Sequence, residues 1–245
     1  MRKFEFQEFD AIGEETLEAI GQANRFNRWM YQTIKPWCKG HILEIGSGAG
    51  NISRYFLEDN SKIMLSDIRE NYCQKLKKKF DGKESLLGVA KINLTDPDFD
   101  SKYKDIFNTF DTVFALNVVE HIEDDFHAIK NCNKLLKKDG HLLILVPSYR
   151  LLYNRFDVGL GHYRRYTKSG LASIFTMNNF AIVKKQYFNF VGLFGWFFSG
   201  TILKKRQVPV GQVKIFNSLV SIFKVIDLAT FHSIGLSTIV VGGKN

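Results

Sequence analysis

The sequence has few cysteines, and its histidines show no metal-binding spacing. Cys38, Cys73 and Cys132 are the only three in 245 residues; they are isolated, and their number is odd. A disulfide framework or a metal cluster uses paired or closely spaced cysteines, so we expect buried or neutral thiols. The six histidines form no H-x-x-H or H-E-x-x-H pattern. We therefore predict no metal site.

The sequence also shows no pattern typical of a targeting segment or of a membrane-spanning segment. No basic-then-apolar amino-terminal stretch with a small-residue cleavage site is present, which favours a cytoplasmic protein. The most apolar stretch, residues 187–203, is interrupted by three glycines and is short for a membrane span. We expect it to cover an apolar acceptor pocket or to form a dimer contact. Because lysines flank it, a weak contact with a membrane surface is the alternative.

Positive charge is abundant, with a net charge of +9 and a pI of about 9.3. Such a balance permits nucleic acid, anionic lipid or an acidic peptide as a partner. Much of the charge lies in residues 75–79 and 134–138, on the outer faces of predicted helices. No nucleic-acid-binding signature accompanies it, so we predict no nucleic-acid partner.

The most informative stretch is residues 41–53, HILEIGSGAGNIS. An apolar strand carrying Glu44 runs into a turn with glycines at 46, 48 and 50, and a helix pattern follows. Glycine lets the backbone approach a ligand closely, and a helix start offers unpaired N–H groups. The next predicted strand, residues 62–66, ends at Asp67, in the position of an acid that contacts a ribose. The stretch therefore predicts a nucleotide-type site.

Two ligands compete for this turn. The dinucleotide fingerprint requires glycine or alanine where Asn51 stands, and the third glycine comes one residue early, at Gly50. The E-x-G-x-G-x-G form with a downstream acid instead resembles motif I of class I methyltransferases that depend on S-adenosylmethionine (SAM). We favour SAM over a nicotinamide or flavin cofactor.

Strands and helices alternate beyond this motif. Residues 84–92, 109–116 and 141–146 are predicted as strands; amphipathic helices cover 69–80 and the stretch from Ile122 to Gly140, with the glycine as its C-terminal cap. This order predicts an α/β fold with a doubly wound, mostly parallel sheet, whose ligands lie beyond the carboxyl ends of the strands. Gly46, Asp67, Asn93 and Asn117 all fall at such ends.

The two ends of the chain are predicted to cover this sheet. Residues 14–35 form one helix by their apolar stripe, either packed on the sheet edge or acting as a lid. Residues 180–188 and 236–242 form a final antiparallel strand pair. Between them, the stripe Ile215, Leu219, Ile222, Phe223 and Ile226 predicts a helix that packs against the 187–203 segment.

A run of polar and aromatic residues follows Pro147 and ends in GHYRRYT, residues 161–167. We call these residues the GHYRRYT box. Thr167 is predicted to cap the next helix. The box lies after the fifth strand, which places it near the cofactor's methyl group. Its arginines either act on the acceptor or form a structural latch with Asp157 or Glu120. For Glu120 and His121 the structural alternative is a buried pair that holds the turn after strand four.

Several segments together resemble one bacterial subgroup of the class I SAM-dependent methyltransferases. They are RFNRWMY (25–31), LEIGSGAGN (43–51), NVVEHIEDD (117–125), FDVGLGHYRRYT (156–167), GLFGWFFSG (192–200) and GLSTIVVGGK (235–244). Some members of this subgroup are fused to glycosyltransferases. Others resemble enzymes that esterify the C-terminal carboxylate of ribosomally made peptides such as lanthipeptides. Asn93 departs from the acid usual in the class.

The resemblance implies a single domain over 1–245 with a seven-stranded Rossmann-like sheet. It comprises an N-terminal helical lid (1–40), a SAM-binding core (41–147) and an acceptor-binding part (148–245) whose helical cap precedes the last strand. It implies SAM as cofactor and S-adenosylhomocysteine as product. The implied cofactor residues are Glu44, Gly46, Gly48, Asp67, Ile68, Asn93, Leu94 and Asn117. Glu44, Gly46 and Gly48 would line the methionine part, and Asp67 would bind the ribose.

The candidate catalytic residues are His121, His162, Tyr163, Arg164 and Arg165. A hydroxyl acceptor requires a base, for which His121 or His162 is suited. A carboxylate acceptor is already ionised and requires a clamp, for which Arg164 or Arg165 is suited. We predict an O-methyltransferase with a carboxylate acceptor on a peptide or small natural product. The alternatives are a hydroxyl on a lipid-linked or polysaccharide intermediate, and a SAM-binding partner protein without turnover.

Overall fold

The computed structural model describes residues 11–205 and 209–245. The strands are β1 (Ile42–Ile45), β2 (Ile63–Asp67), β3 (Leu86–Lys91), β4 (Phe110–Leu116), β5 (Leu136–Pro147), β6 (Phe180–Phe188) and β7 (Ser237–Lys244). The helices are α1 (Ala11–Gly21), α2 (Asn24–Ile34), α3 (Ser53–Glu58), α4 (Glu70–Lys79), α5 (Phe99–Tyr103), α6 (Asp125–Leu135), α7 (Arg155–Leu160), α8 (Lys168–Met177), α9 (Phe190–Trp196) and α10 (Val210–Ala229).

The strands form one sheet in the order β3-β2-β1-β4-β5-β7-β6. Strands β1 to β5 are parallel, whereas β7 runs antiparallel between β5 and β6. The order reverses between β1 and β4, and open α/β sheets bind ligands beyond the carboxyl ends of the strands at such a point. The predicted doubly wound, seven-stranded sheet with a final antiparallel pair is confirmed.

Burial on both faces explains why the central strands are nearly all apolar. β1 is buried throughout, and so are the last six residues of β5. One face packs against α6 and α8 through residues such as Ile129 and Phe175. The other face packs against α2 and α3 through residues such as Ile34 and Phe56. The helices of both faces hold the strand ends in fixed positions, which is what a ligand site at those ends requires.

The single helix predicted over residues 14–35 is wrong, because the chain forms α1 and α2 with a break between them. Gly21 ends α1, and the helical hydrogen bonding resumes at Asn24. Asn27 is buried at the break, and its Nδ2 donates to Ile20 O over 2.7 Å. Side-chain hydrogen bonds to the backbone compete with helix continuation, and this bond fixes the angle between the two helices.

The predicted role of Gly140 is also wrong. Helix α6 ends at Leu135, and the residues from Leu136 onward are extended and belong to β5. Leu136 pairs with Phe110 of β4 and is fully buried. Leu136, the last apolar residue of the predicted helical stripe, is therefore part of the sheet. Thr167, in contrast, caps α8 as predicted, since its hydroxyl accepts from Gly170 N over 3.0 Å.

The cap between β6 and β7 consists of α9, a π-helical turn at Phe197–Ile202, and α10. The predicted packing of the α10 stripe is wrong for most of its members, because Ile215 is 66% exposed and Ile222 57%. Phe223 packs toward the core as a half-buried residue. Among the helices of residues 11–205 and 209–245, none combines the length and the hydropathy needed to cross a bilayer.

Candidate functional site

The glycine turn after β1 requires its glycines. Gly46 has φ +70°, and a Cβ there would lie 2.4 Å from Val118 Cγ2. Gly50 has φ +72°, and a Cβ there would meet the Phe80 ring at 2.6 Å. Positive φ is costly for other residues, and both positions also lack space for a side chain. The predicted ligand-binding turn is thus a closely packed backbone bend at the carboxyl end of β1.

Asp67 at the end of β2 is tied to this turn. Its Oδ2 accepts from Gly48 N over 2.9 Å and its Oδ1 accepts from Arg69 N over 2.9 Å. Burial raises the pKa of Asp67, and these two backbone donors oppose that effect. The Ile68 N–H is a third backbone donor to this carboxylate. A carboxylate has about four lone-pair positions, so Asp67 keeps acceptor capacity for a further donor, such as a ribose hydroxyl.

Glu44 lies in β1, beneath the turn, and is 4% exposed. Its carboxylate accepts a hydrogen bond from Ser53 Oγ at the start of α3. Burial raises the pKa of Glu44 to about 7, and the hydrogen bonds from Ser53 and Ser47 oppose this. A carboxyl group in this position holds β1 and α3 together, and its charge changes close to neutral pH.

This shift predicts a pH dependence of stability. The folded protein holds a proton on Glu44 up to about pH 7, whereas the ordinary pKa is 4.5. The native state therefore binds more protons between these values, and the free energy of unfolding falls as pH rises, by at most about 1.4 kcal/mol per pH unit from this group. Urea denaturation of the SAM-free protein at pH 5, 6 and 7 should show a shallower fall for Glu44→Gln than for wild type. Equal slopes would contradict the shift.

The other predicted cofactor residues lie at neighbouring strand ends. Asn93 follows β3 and is half-buried, but its Oδ1 already accepts from Thr95 N and Thr95 Oγ1, both over 3.0 Å. Leu94 is buried, and Ile68 is half-buried after Asp67. Asn117 is exposed after β4 with φ +55°. The structure brings these residues to one edge of the sheet, and their individual contacts with SAM stay predictions.

Helix α1 lies over the glycine turn. A Cβ at Gly48 would lie 3.1 Å from Leu17 Cδ1, and Asn51 Nδ2 donates to Leu17 O over 3.0 Å. Lys75 of α4 also pairs with Glu14 of α1. The described part of the predicted 1–40 lid is thus in contact with the turn that it was expected to cover.

The GHYRRYT box is held largely by contacts within the chain. Arg165 is buried; its Nε donates to Asp157 Oδ1 over 2.8 Å and its Nη1 donates to Ser148 O over 3.0 Å. The guanidinium also lies 4.5 Å from the centre of the Trp196 ring. An arginine held by these groups has little of its fork left for an acceptor, so the geometry favours the latch predicted with Asp157.

Arg164 and Tyr166 join the same box to α6. Arg164 Nη1 lies 3.1 Å from Asp125 Oδ2, and its Nη2 donates to Glu123 O. Tyr166 OH donates to Asp125 Oδ2 over 2.8 Å. Tyr163 is half-buried, and its backbone N–H donates to Glu120 O over 2.8 Å. Catalytic roles were predicted for Arg164 and Tyr163, and both residues also have structural contacts within the chain; their catalytic roles stay predictions.

His121 and His162 come together beside Glu120. Their rings are perpendicular, with centroids 4.7 Å apart. His162 is buried, and its Nδ1 lies 2.8 Å from Asp157 Oδ1. His121 is exposed, and its ring also hydrogen-bonds to the backbone of Leu160. Desolvation lowers the pKa of both histidines, that of His121 to about 3, so both rings are neutral near pH 7 and each offers a nitrogen lone pair.

Glu120 was predicted as a partner for the arginines or as half of a buried pair with His121, and it lies at the centre of this group. It is fully buried, and burial raises its pKa to about 8. Glu120 and His121 occupy the 3-10 turn Val119–His121 after β4, and His162 follows α7. The sequence pattern could not show that these two segments meet. An acidic residue in the turn after β4 was the one local signal.

The comparisons with known proteins agree with this fold. Residues 43–142, from β1 into β5, match the family described as "Methyltransferase domain". The phosphoethanolamine N-methyltransferase 2 of Haemonchus contortus, solved with SAM, superposes with a TM-score of 0.62 at 15% identity, over 94% of this chain and 57% of that one. The predictions of a methyltransferase domain and of SAM as its cofactor are confirmed.

Two curated relatives differ in how much of them the chain covers. The ubiquinone biosynthesis O-methyltransferase of Pelagibacter ubique is 24% identical over 220 residues, which are 78% of this chain and 89% of that protein. The non-reducing polyketide synthase nvfA of Aspergillus novofumigatus is 28% identical over 127 residues, which are 49% of this chain. The chain covers only 5% of that synthase's length.

Proposed function

We propose that the chain transfers the methyl group of SAM to a hydroxyl oxygen of a small molecule. The observation that carries this proposal is the group formed by Glu120, His121 and His162 at the carboxyl end of β4. A hydroxyl must lose its proton as the new C–O bond forms, and neutral imidazoles are suited to assist. The match to an O-methyltransferase over most of both chains supports an oxygen acceptor.

The carboxylate acceptor favoured by the sequence is the weaker candidate. It needs a cationic clamp, yet Arg165 is buried against Asp157 and Arg164 is bound to Asp125. Arg164 keeps 34% of its side chain exposed, so it is the residue through which a peptide carboxylate would still bind. The two arginines then have different roles, one structural and one available to an acceptor.

Mass spectrometry of acceptors incubated with the protein and labelled SAM tests the proposal. Phenols and alcohols are compared with peptides that end in a free carboxylate. A gain of one methyl group that survives mild base identifies an ether and supports the hydroxyl acceptor. A methyl group that mild base removes identifies an ester and contradicts it. Failure of every acceptor while SAM still binds favours a SAM-binding partner protein without turnover.

The exposed surface of the cap favours a second candidate, a hydroxyl carried by a lipid-linked intermediate. Apolar side chains of α9, the π-helical turn and α10 are exposed, which is unusual over a contiguous surface. The most exposed are Phe194, Phe198, Ile202, Ile215, Ile222, Val225 and Leu228. Lys204, Lys205 and Lys214 are exposed beside them. An apolar face bordered by lysines suits the interface of an anionic bilayer.

Vesicle binding separates this candidate from a water-soluble acceptor. We expect the protein to sediment with vesicles that contain anionic lipid and less with neutral vesicles. The double variant Ile215→Ser with Ile222→Ser should bind at least about tenfold more weakly, because roughly 1.5–3 kcal/mol is lost per buried aliphatic side chain. Met177→Ser, which replaces an equally exposed residue at the end of α8, is the control. Equal binding of both variants would contradict membrane contact through the cap.

A further inference from the structure

The side chains of Glu120, His121 and His162 converge although they come from separate segments. One ligand-type atom from each of the three lies within 4.8 Å of the others. Glu120 and His121 are consecutive in the turn after β4, and His162 follows Gly161, which ends α7. His121 is accessible to solvent, whereas the other two are buried. The group therefore has one side open to solvent, the side of His121.

Glu120 lacks a partner in this group. It is fully buried, and neither of its carboxylate oxygens has a hydrogen-bond partner among the described residues. Arg165 is the neighbouring cation; its Nε and Nη1 are bound to Asp157 and Ser148, and its Nη2 is buried but makes no hydrogen bond to Glu120 or to any other described residue. Buried carboxylates are normally paired or bound to a metal. Two acceptor oxygens in the interior thus point to a missing positive ligand.

His162 is fixed in the orientation of a ligand. Its Nδ1 lies 2.8 Å from Asp157 Oδ1, so the ring donates from Nδ1 and keeps its lone pair at Nε2. Its backbone is also held, because His162 N donates to Asp157 O over 2.9 Å and Tyr153 OH donates to His162 O over 2.7 Å. A carboxylate behind a histidine is the arrangement that orients metal-bound imidazoles in proteins.

We propose that Glu120, His121 and His162 bind a divalent transition-metal ion, with Zn²⁺ as the preferred ion. Two imidazole nitrogens and one carboxylate oxygen form a donor set that suits Zn²⁺ and leaves a coordination position open. Mg²⁺ prefers oxygen donors in octahedral geometry and suits this set poorly. The absence of a histidine spacing motif in the sequence says nothing against such a site, since its ligands come from two segments.

The ligands must move closer together to hold the ion. Bonds of 2.0–2.2 Å in a tetrahedral arrangement place ligand atoms about 3.4 Å apart, which is shorter than the 4.8 Å limit that encloses the three atoms now. His121 is the residue that must move, because it is the exposed member of the group; its ring would leave its hydrogen bond to the Leu160 backbone. Glu120 and His162 are buried, and His162 is also bound to Asp157, so these two residues form the fixed part of the site.

This inference rests on the proposed hydroxyl acceptor and assigns its activation to the ion, because imidazole nitrogens that bind the metal cannot also take up the acceptor's proton. An acceptor oxygen that occupies the open position becomes more acidic, because the metal stabilises the developing anion. The proton passes to water in the cleft, the oxygen forms a bond to the methyl carbon, and the C–S bond breaks with its electron pair left on sulfur. The metal is unchanged at the end of the step.

Metal titration of tag-free, chelator-treated protein tests the site directly. Calorimetry with Zn²⁺, and the visible absorption of Co²⁺ used as its substitute, should both show one ion per chain and no comparable binding of Mg²⁺. His121→Gln should weaken Zn²⁺ binding at least about tenfold, the range seen when a metal site loses a supporting group. His127→Gln, which replaces an exposed histidine of α6, is the matched control and should bind as wild type does.

SAM binding is measured on the same samples so that the two proposals can fail separately. Wild type that binds SAM but no Zn²⁺ or Co²⁺ overturns the metal site and leaves the methyl transfer to a hydroxyl standing. Zn²⁺ binding that His121→Gln does not weaken also overturns it. One bound ion together with ester formation, and no ether formation, supports the site and contradicts the hydroxyl acceptor. Glu120→Gln, if it folds, should weaken binding as His121→Gln does.

Discussion

Asp67→Asn is expected to weaken SAM binding about 100-fold. Both oxygens of Asp67 accept backbone N–H groups, one from Gly48 and one from Arg69. Asparagine has one acceptor oxygen, so its amide NH₂ must face one of these donors in the free protein and in the complex alike, and the side chain is no longer held in place. Binding weakens because the variant loses the charge that strengthens its hydrogen bonds to the ribose hydroxyls, each worth about 1.5–3 kcal/mol. A loss near 3 kcal/mol corresponds to about two powers of ten in the dissociation constant.

Calorimetric titration with SAM and with S-adenosylhomocysteine measures this change. Asp105→Asn replaces an exposed aspartate after α5 and should bind both compounds as wild type does. A dissociation constant of Asp67→Asn within about threefold of wild type would contradict the ribose contact. Binding of NAD(H) in place of SAM by the wild-type protein would support the dinucleotide alternative for the glycine turn.

The central part of the fold could be predicted because its signals are local. A buried parallel strand is a short apolar run, and the glycine turn and the acid at position 67 are separated by one helix and one strand. The glycine at position 46 was itself a local signal. The structure gives the reason for it, since the positive φ of Gly46 and the closeness of Val118 exclude a side chain. The doubly wound, mostly parallel sheet then follows from the alternation of strands and helices.

Two of the errors in the prediction, at Leu136 and on α10, have one cause, which is that periodicity does not identify the partner of an apolar face. Leu136 continues the apolar stripe of α6 in sequence, yet in the structure it belongs to β5 and pairs with Phe110 of β4. Ile215 and Ile222 form a regular stripe on α10 that the described part of the chain leaves exposed. Which surface covers a stripe depends on tertiary packing, which a single sequence does not encode locally.

The candidate catalytic group shows the same limit at longer range. His121 and His162 were each predicted as candidates, but their contact and the burial of Glu120 between them required the fold. The arginines show the converse. Their chemistry suggested an acceptor clamp, but in the structure Arg165 pairs with Asp157 and Arg164 pairs with Asp125.

Arg165→Ala is expected to lower the free energy of unfolding by about 3–5 kcal/mol, the cost of removing one partner of a buried ion pair. Arg165 and Asp157 both have fully buried side chains. In this variant, Asp157 Oδ1 would still accept a hydrogen bond from His162 Nδ1, and Asp157 Oδ2 would still accept one from Asn154 N over 2.9 Å. Neither neutral donor replaces the lost positive charge, and Ser148 O loses its donor as well.

Arg164→Ala is the matched control, and urea denaturation measures both variants. Its pair with Asp125 leaves Arg164 34% exposed, so we expect a loss of at most about 1 kcal/mol. The midpoint should fall for Arg165→Ala at an unchanged slope, since the slope reports the surface exposed on unfolding. Arg165→Lys should lie between wild type and alanine, because lysine keeps the charge but not the fork that reaches both Asp157 and Ser148. Equal small losses for Arg164→Ala and Arg165→Ala, with turnover abolished in Arg165→Ala alone, would contradict the latch and restore Arg165 as an acceptor clamp.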